Sequence, residues 1–195
     1  MPVFSGDAKR SSMKGDDFCM KILISGTPGT GKTSVSELLA EKLGYRLVRI
    51  NDFAEERGLV EGVDKVRGSM IIDEVRLEAE VGKLSGDIVV EGHLAHLCKG
   101  DVSVVLRTRP DVLEVRLSLR KWSKEKIHEN VEAEILDVIL QEAVEVNENV
   151  VEVDTTGKSP EDVCGILSDM IRKKIYDDFR PGKVSWVSYL EDSVS

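Results

Sequence analysis

The sequence predicts an α/β domain in which a five-stranded parallel sheet is covered by helices on both faces. Three observations predict it. Short Val/Ile-rich runs alternate with amphipathic helical patterns along the chain. The runs show little polar alternation, as strands covered on both faces do. The first run leads straight into a glycine-rich loop and then a helix.

The elements follow in order. Strands are expected at 21–25, 45–50, 87–90, 102–106 and 150–153. The helix expected at 34–43 carries Val35, Leu38, Leu39 and Leu43 on one face. A helix over 69–82 has Ile72, Val75 and Ala79 on one side. One over 111–119 is entered through Arg109-Pro110-Asp111, and one over 131–146 carries Ile135, Val138, Ile139 and Ala143. The clearest stripe is Val163, Ile166, Leu167, Met170, Ile171 and Ile175, within a helix at 160–175 that Ser159-Pro160 caps and opens. Strands alternating with helices imply parallel βαβ units. Two segments break the rhythm: the charged, glycine-punctuated 51–70 and the basic 120–130. Both follow strand or helix ends on the side where α/β sheets gather ligands.

At 195 residues the chain suits one domain, expected over 20–176, and no repeat or linker divides it. Residues 1–19 are polar and lack an apolar h-region, so they read as a disordered leader and not a signal peptide, with Met13 or Met20 as alternative starts. Residues 177–195 form a tail whose Phe179, Trp186, Tyr189 and Leu190 either dock on the body or bind a partner. No apolar run is long enough to span a membrane. Cys19, Cys98 and Cys164 form no C-x-x-C pair, which argues against zinc and for a reducing, cytoplasmic location. The net charge of −9 disfavours broad nucleic-acid binding.

The chemistry begins at Gly26-Thr27-Pro28-Gly29-Thr30-Gly31-Lys32-Thr33, which meets G-x-x-x-x-G-K-[ST] at every fixed position. Strand, loop and helix are the context this motif requires, so the fold is of the P-loop NTPase type. Consecutive backbone N–H groups and the helix N-terminus make an anion cradle. Gly29, Thr30, Gly31 and Ser34 belong to that cradle; Lys32 reaches the β- and γ-phosphates, and Thr33 offers its hydroxyl to Mg²⁺. Phosphoryl transfer needs alignment and charge neutralisation. Glu91, at the end of the third strand, fits a Walker-B-like role on Mg²⁺, or is a solvent-facing strand end. His93 orients water or phosphate, or is a polar loop residue. Arginine's planar fork suits phosphate. Arg120, opening the basic stretch with Lys121, Lys124 and Lys126, is the first candidate for a lid cation; Arg107, Arg109 and Arg76 are others. Asp52 either begins a monophosphate site or caps a helix.

Together these segments resemble the atypical adenylate kinases, whose nuclear and archaeal members double as ribosome-biogenesis ATPases. Besides the phosphate loop, the resemblance rests on Ile50-Asn51-Asp52-Phe53-Ala54, Ile72-Asp73-Glu74-Val75-Arg76 and Val89-Val90-Glu91-Gly92-His93. It continues through Val105-Leu106-Arg107-Thr108, Arg120 to Asn130, and Asp154-Thr155-Thr156-Gly157-Lys158, and it covers about residues 20–175. It implies MgATP at the loop, with Arg120 and Lys158 on ATP. It also implies an AMP segment near 49–72, a lid near 120–130, and Asp52, Asp73, Arg76 and Arg107 on the AMP side. It further implies ATPase activity and a small-subunit ribosomal protein or pre-ribosomal RNA as partner. The family's Asp-x-His is here Glu91-Gly92-His93, one methylene longer. The alternatives are an assembly factor driven mainly by hydrolysis, and a kinase for another small acceptor. A shikimate-type acceptor is disfavoured because only Asn51-Asp52 stands where a D-x-D pair is wanted. No Asn-Lys-x-Asp segment reads guanine, and the glycine spacing is not that of a dinucleotide fold.

Overall fold

Strand β1 (Lys21–Ser25) lies at the centre of a five-stranded sheet of order β2-β5-β1-β6-β7. The computed structural model describes residues 19–64 and 68–189; the leader segment 1–18 and Leu190 lie outside the described residues. The other strands are β2 (Arg46–Arg49), β5 (Ile88–Glu91), β6 (Val102–Arg107) and β7 (Val150–Asp154). Every pairing in this sheet is parallel, with Leu23 opposite Val90 on one side and Ser103 on the other. Parallel strands need crossovers, and the helices that supply them cover both faces. Helices α1 (Lys32–Leu43) and α7 (Pro160–Lys173) pack on one face around Leu39, Val104, Leu167 and Met170. Helices α2 (Ile50–Glu56) and α3 (Glu74–Gly82) pack on the other around Leu23, Phe53, Leu77 and Val90.

The carboxyl ends of all five strands share one edge, and this is what gathers the site. Helix ends are set by local chemistry. Ser159 and Asp162 form a reciprocal capping box on α7, with Pro160 in the first turn. Gly44 ends α1 in the left-handed region, donating to Ala40 and Glu41 carbonyls.

The structure departs from the sequence expectation in two places. Residues 69–72 are not the start of a helix: β4 (Ser69–Ile72) pairs antiparallel with β3 (Val60–Asp64), and α3 begins only after Asp73. The segment 51–70 thus holds α2 and most of a hairpin. The helix expected over 131–146 is two helices, α5 (Lys124–Ile135) and α6 (Val138–Val146), broken at Asp137 with φ 57°. Arg107 explains the break, because it bonds both the Glu134 carbonyl and the Asp137 carboxylate. Helix α4 (Pro110–Ser118) precedes α5, and Leu113, Leu117, Ile127 and Trp122 join the two.

The described part of the C-terminal segment, up to Tyr189, lies on the domain. Phe179 packs against the main core. The N–H groups of Lys183 and Val184 donate to Glu152 Oε1 at 2.6 and 2.9 Å. Tyr189 Oη reaches Asp111 at 3.4 Å.

Candidate nucleotide site

The loop between β1 and α1 carries the site. Gly26 stands at φ 137°, and a Cβ there would lie 2.4 Å from the Leu106 carbonyl oxygen; only glycine lets the loop pass this close to β6. The Thr27 carbonyl accepts from Thr30 N at 3.2 Å and Thr30 Oγ1 at 2.9 Å, closing the turn. Lys32 is buried, and its Nζ donates to the Gly26 and Thr27 carbonyls at 2.7 and 3.1 Å. Burial pulls its pKa down to about 8, partly opposed by Glu91 and Glu134 and assisted by Arg120.

Glu91 ends β5, is buried, and accepts from Thr33 Oγ1 at 3.0 Å. It faces the loop and not solvent. A hydroxyl and a carboxylate side by side are hard oxygen donors, the type Mg²⁺ takes. Among the described residues no cluster of three or more His, Cys, Asp or Glu could hold a metal alone. Mg²⁺ binds in this sparse way, through one or two protein oxygens plus substrate phosphates. Thr33 and Glu91 therefore fit the ion.

A cavity of about 1020 Å³ opens in front of these groups. Gly29, Gly31, Lys32, Thr33, Ser34, Glu91, His93 and Arg120 line one part of it. Asp52, Asn51, Ser69 and Met70 line another, and Leu136, Val138 and Ile139 add an apolar wall. His93 is held below its usual pKa, first by burial and then by Lys32 and His96. Arg120 follows α4 and is exposed, its guanidinium 5.7 Å from the Trp122 ring centre, while Lys126 Nζ lies 4.0 Å from the same ring. A smaller recess of about 210 Å³ adjoins at Gly29, Thr30 and Gly31, lined by Arg116, Thr155 and Lys158. Lys158 donates to the Asp154 carbonyl.

Not every predicted residue reaches the cavity. Asp52 does, but as an exposed residue of the first turn of α2, whose cap is Arg49; the capping alternative falls. Asp73 caps α3 by accepting from Arg76 N at 3.0 Å, and the Arg76 side chain reaches the Gly58 carbonyl; neither lines the cavity. Arg107 is the clear correction. It is 1% exposed, with Nε on Glu134 Oε1 at 2.8 Å, Nη1 on Glu152 Oε2 at 3.3 Å and Nη2 on the Glu134 carbonyl and Asp137. Burial would lower its pKa, but the carboxylates of Glu134 and Asp137 overcome that and raise it. Its donors face protein carboxylates, not the cavity. Arg109 likewise pairs with Asp111 on the surface. Sequence reasoning missed Arg116, whose Nη1 donates to the Gly29 carbonyl at 3.1 Å; its i,i+4 spacing from Arg120 was the available signal. It missed Trp122 and Glu134 too. No helix among the described residues is long and apolar enough to cross a membrane.

Known proteins are similar to this chain. A family model described as an AAA domain matches residues 22–137. A protein of Thermococcus gammatolerans named "Putative adenylate kinase" is 45% identical over 178 residues, covering 90% of this chain and 97% of its own. One of the same name from Archaeoglobus fulgidus is 44% identical over 177 residues, covering 90% and 96%. The chain belongs to the atypical adenylate kinase family. The fold of this adenylate kinase family member agrees with solved P-loop kinases. Shikimate kinase from Acinetobacter baumannii in complex with shikimate superposes with TM-score 0.57 at 16% identity, over 80% of this chain and 95% of the other. Deoxyadenosine kinase from M. mycoides gives 0.53 at 15%, over 79% and 99%. At such identities the likeness concerns the fold alone.

Proposed function

We propose that the protein transfers the γ-phosphoryl group of MgATP to AMP, forming two ADP. The observation that carries this is one continuous cavity. It runs from Lys32, Thr33 and Glu91 to Asn51, Asp52 and Met70, with room for a donor and an acceptor. The names of the archaeal relatives support AMP as that acceptor.

The residues take their roles from position. Loop N–H groups and Lys32 hold the donor phosphates. Arg120 lines the same cavity and is assigned to the charge that develops on the transferred group, an interaction that strengthens in the transition state. Thr33 and Glu91 would hold Mg²⁺, which neutralises phosphate charge when bound. Lys158 and Arg116 flank the recess behind the loop, which suits the donor base. Asp52 is an acceptor of hydrogen bonds, so it faces an amino or hydroxyl group of AMP and not its phosphate. Segments 49–72 and 120–130 act as monophosphate and lid segments that close to exclude water.

A second reading is ATP hydrolysis that drives small-subunit ribosome maturation, through a ribosomal protein or pre-ribosomal RNA. His93 favours it, because an imidazole lining the cavity beside Glu91 can orient an attacking water. The test is MgATP with and without AMP, following ADP and phosphate separately. ADP formed only with AMP, without free phosphate, supports the kinase. Phosphate released without AMP supports hydrolysis and overturns kinase activity as the main one.

A further inference from the structure

A buried carboxylate lies behind the phosphate loop, and nothing in the reaction outlined above uses it. Glu134, in the last turn of α5, is 2% exposed. Its Oε2 accepts from Thr27 Oγ1 of the loop at 2.6 Å. Its Oε1 accepts from Arg107 Nε at 2.8 Å, Thr108 N at 3.0 Å and, from the C-terminal segment, Trp186 Nε1 at 3.4 Å. Four donors saturate the carboxylate and fix both oxygens.

The buried Arg107 guanidinium offsets the Glu134 charge, so the carboxylate is tolerated beneath an anion-binding loop. A neutral acceptor would satisfy the Thr27 hydroxyl but would not offset the Arg107 charge. What the carboxylate adds is a short, charge-assisted and directional bond. That bond ends at the residue where the loop's own bonds converge. The Thr27 carbonyl already accepts from Thr30 N, Thr30 Oγ1 and Lys32 Nζ. Fixing the Thr27 side chain from behind therefore fixes the turn and the base of Lys32 from the front. Helix α5 also carries Lys126, Asn130 and Ala133 into the cavity, so Glu134 ties that wall to the loop.

From this geometry we infer that Glu134 is a positioning residue: through Thr27 it holds the phosphate loop, and with it Lys32, in register with the wall that α5 presents to the transferring phosphoryl group. The inference rests on the phosphoryl-transfer reading above. Loop N–H groups hold phosphate in ground and transition states alike, whereas alignment matters chiefly in the transition state. Loss of the tether therefore falls on kcat more than on KM.

The experiment uses the full chain with MgATP and AMP, measuring kcat, KM for ATP, MgATP affinity by calorimetry and melting temperature. Thr27→Val removes the donor but leaves the Arg107–Glu134 pair. It is expected to lower kcat by about tenfold or more with KM for ATP within about threefold. Thr27→Ser keeps the hydroxyl and recovers most of that loss. Glu134→Gln keeps an acceptor without the charge and shows part of the same kcat loss, and the double variant is no worse than the worse single, because both act through one bond. If Glu134→Gln fails to fold, the Thr27 pair decides alone. A folded Thr27→Val with wild-type kcat, a loss confined to KM, or losses that multiply in the double variant would each overturn the inference. A wild-type protein that binds no MgATP and makes no ADP overturns the transfer reading and this inference together. An active wild type with an equally active Thr27→Val overturns the inference alone.

Discussion

Raising the pH should weaken nucleotide binding through Lys32. Burial holds its pKa down from 10.5 to about 8. Phosphate binding needs the ammonium. At pH 7 about nine-tenths of Lys32 carries its proton, and at pH 9 about one-tenth does, because each pH unit past the pKa is a factor of ten. The apparent affinity for MgATP should then fall about tenfold between pH 7 and pH 9, or about 1.4 kcal/mol. The stability sign runs the other way. The unfolded chain holds its Lys32 proton up to about 10.5, so between about 8 and 10.5 it binds more protons than the folded chain, and stability rises with pH. Below about 8 the buried ammonium costs stability in full, up to about 3 kcal/mol at 1.36 kcal/mol per pKa unit. Calorimetric titration with MgATP from pH 7 to 9.5 is the assay, with Lys32→Arg as control because guanidinium does not titrate there. A wild-type affinity as flat as that of Lys32→Arg refutes the argument.

Three further outcomes are expected. Arg107→Leu should lower stability by about 3–5 kcal/mol in denaturant titration, since it strands Glu134 and Glu152 as buried charges, whereas Arg76→Ala stays within about 0.5 kcal/mol. Gly26→Ala should lose most ATP affinity and show a lowered melting temperature, because its Cβ meets backbone that cannot move aside. Iodoacetamide on the native protein at pH 7.5 should label Cys19 first. Cys98 is buried with its thiol pushed up to about 12, and burial also raises Cys164, so both label only on unfolding.

The sheet and loop were legible in the sequence because each strand is a continuous apolar run and the phosphate loop has fixed spacing. Glu91 was legible from its place at a strand end. The rest was set by tertiary contact. Ile71 and Ile72 fit a helical stripe as well as a strand, and only the pairing of Ser69–Ile72 with Val60–Asp64 decides. The helical pattern of 131–146 is unbroken on paper; Arg107, distant in the chain, breaks it. Arg107 itself looks like any strand-end phosphate ligand, since partners 27 and 45 residues away cannot be read locally. Glu134 gave no signal at all: a glutamate beside Ile135 reads as a helix surface.

The docked C-terminal segment bears on how the protein is made. Residues 183–186 satisfy Glu152 and Glu134, yet they are synthesised after every strand of the sheet and after the whole cavity wall. A nascent chain that ends before them holds each loop and cavity side chain but leaves Glu152 Oε1 without the Lys183 and Val184 donors, at about 1–3 kcal/mol for an unsatisfied group. The scaffold behind the loop is thus completed only once residues 183–186 are in place. A prematurely terminated copy should be discarded by proteolysis before it can compete for nucleotide.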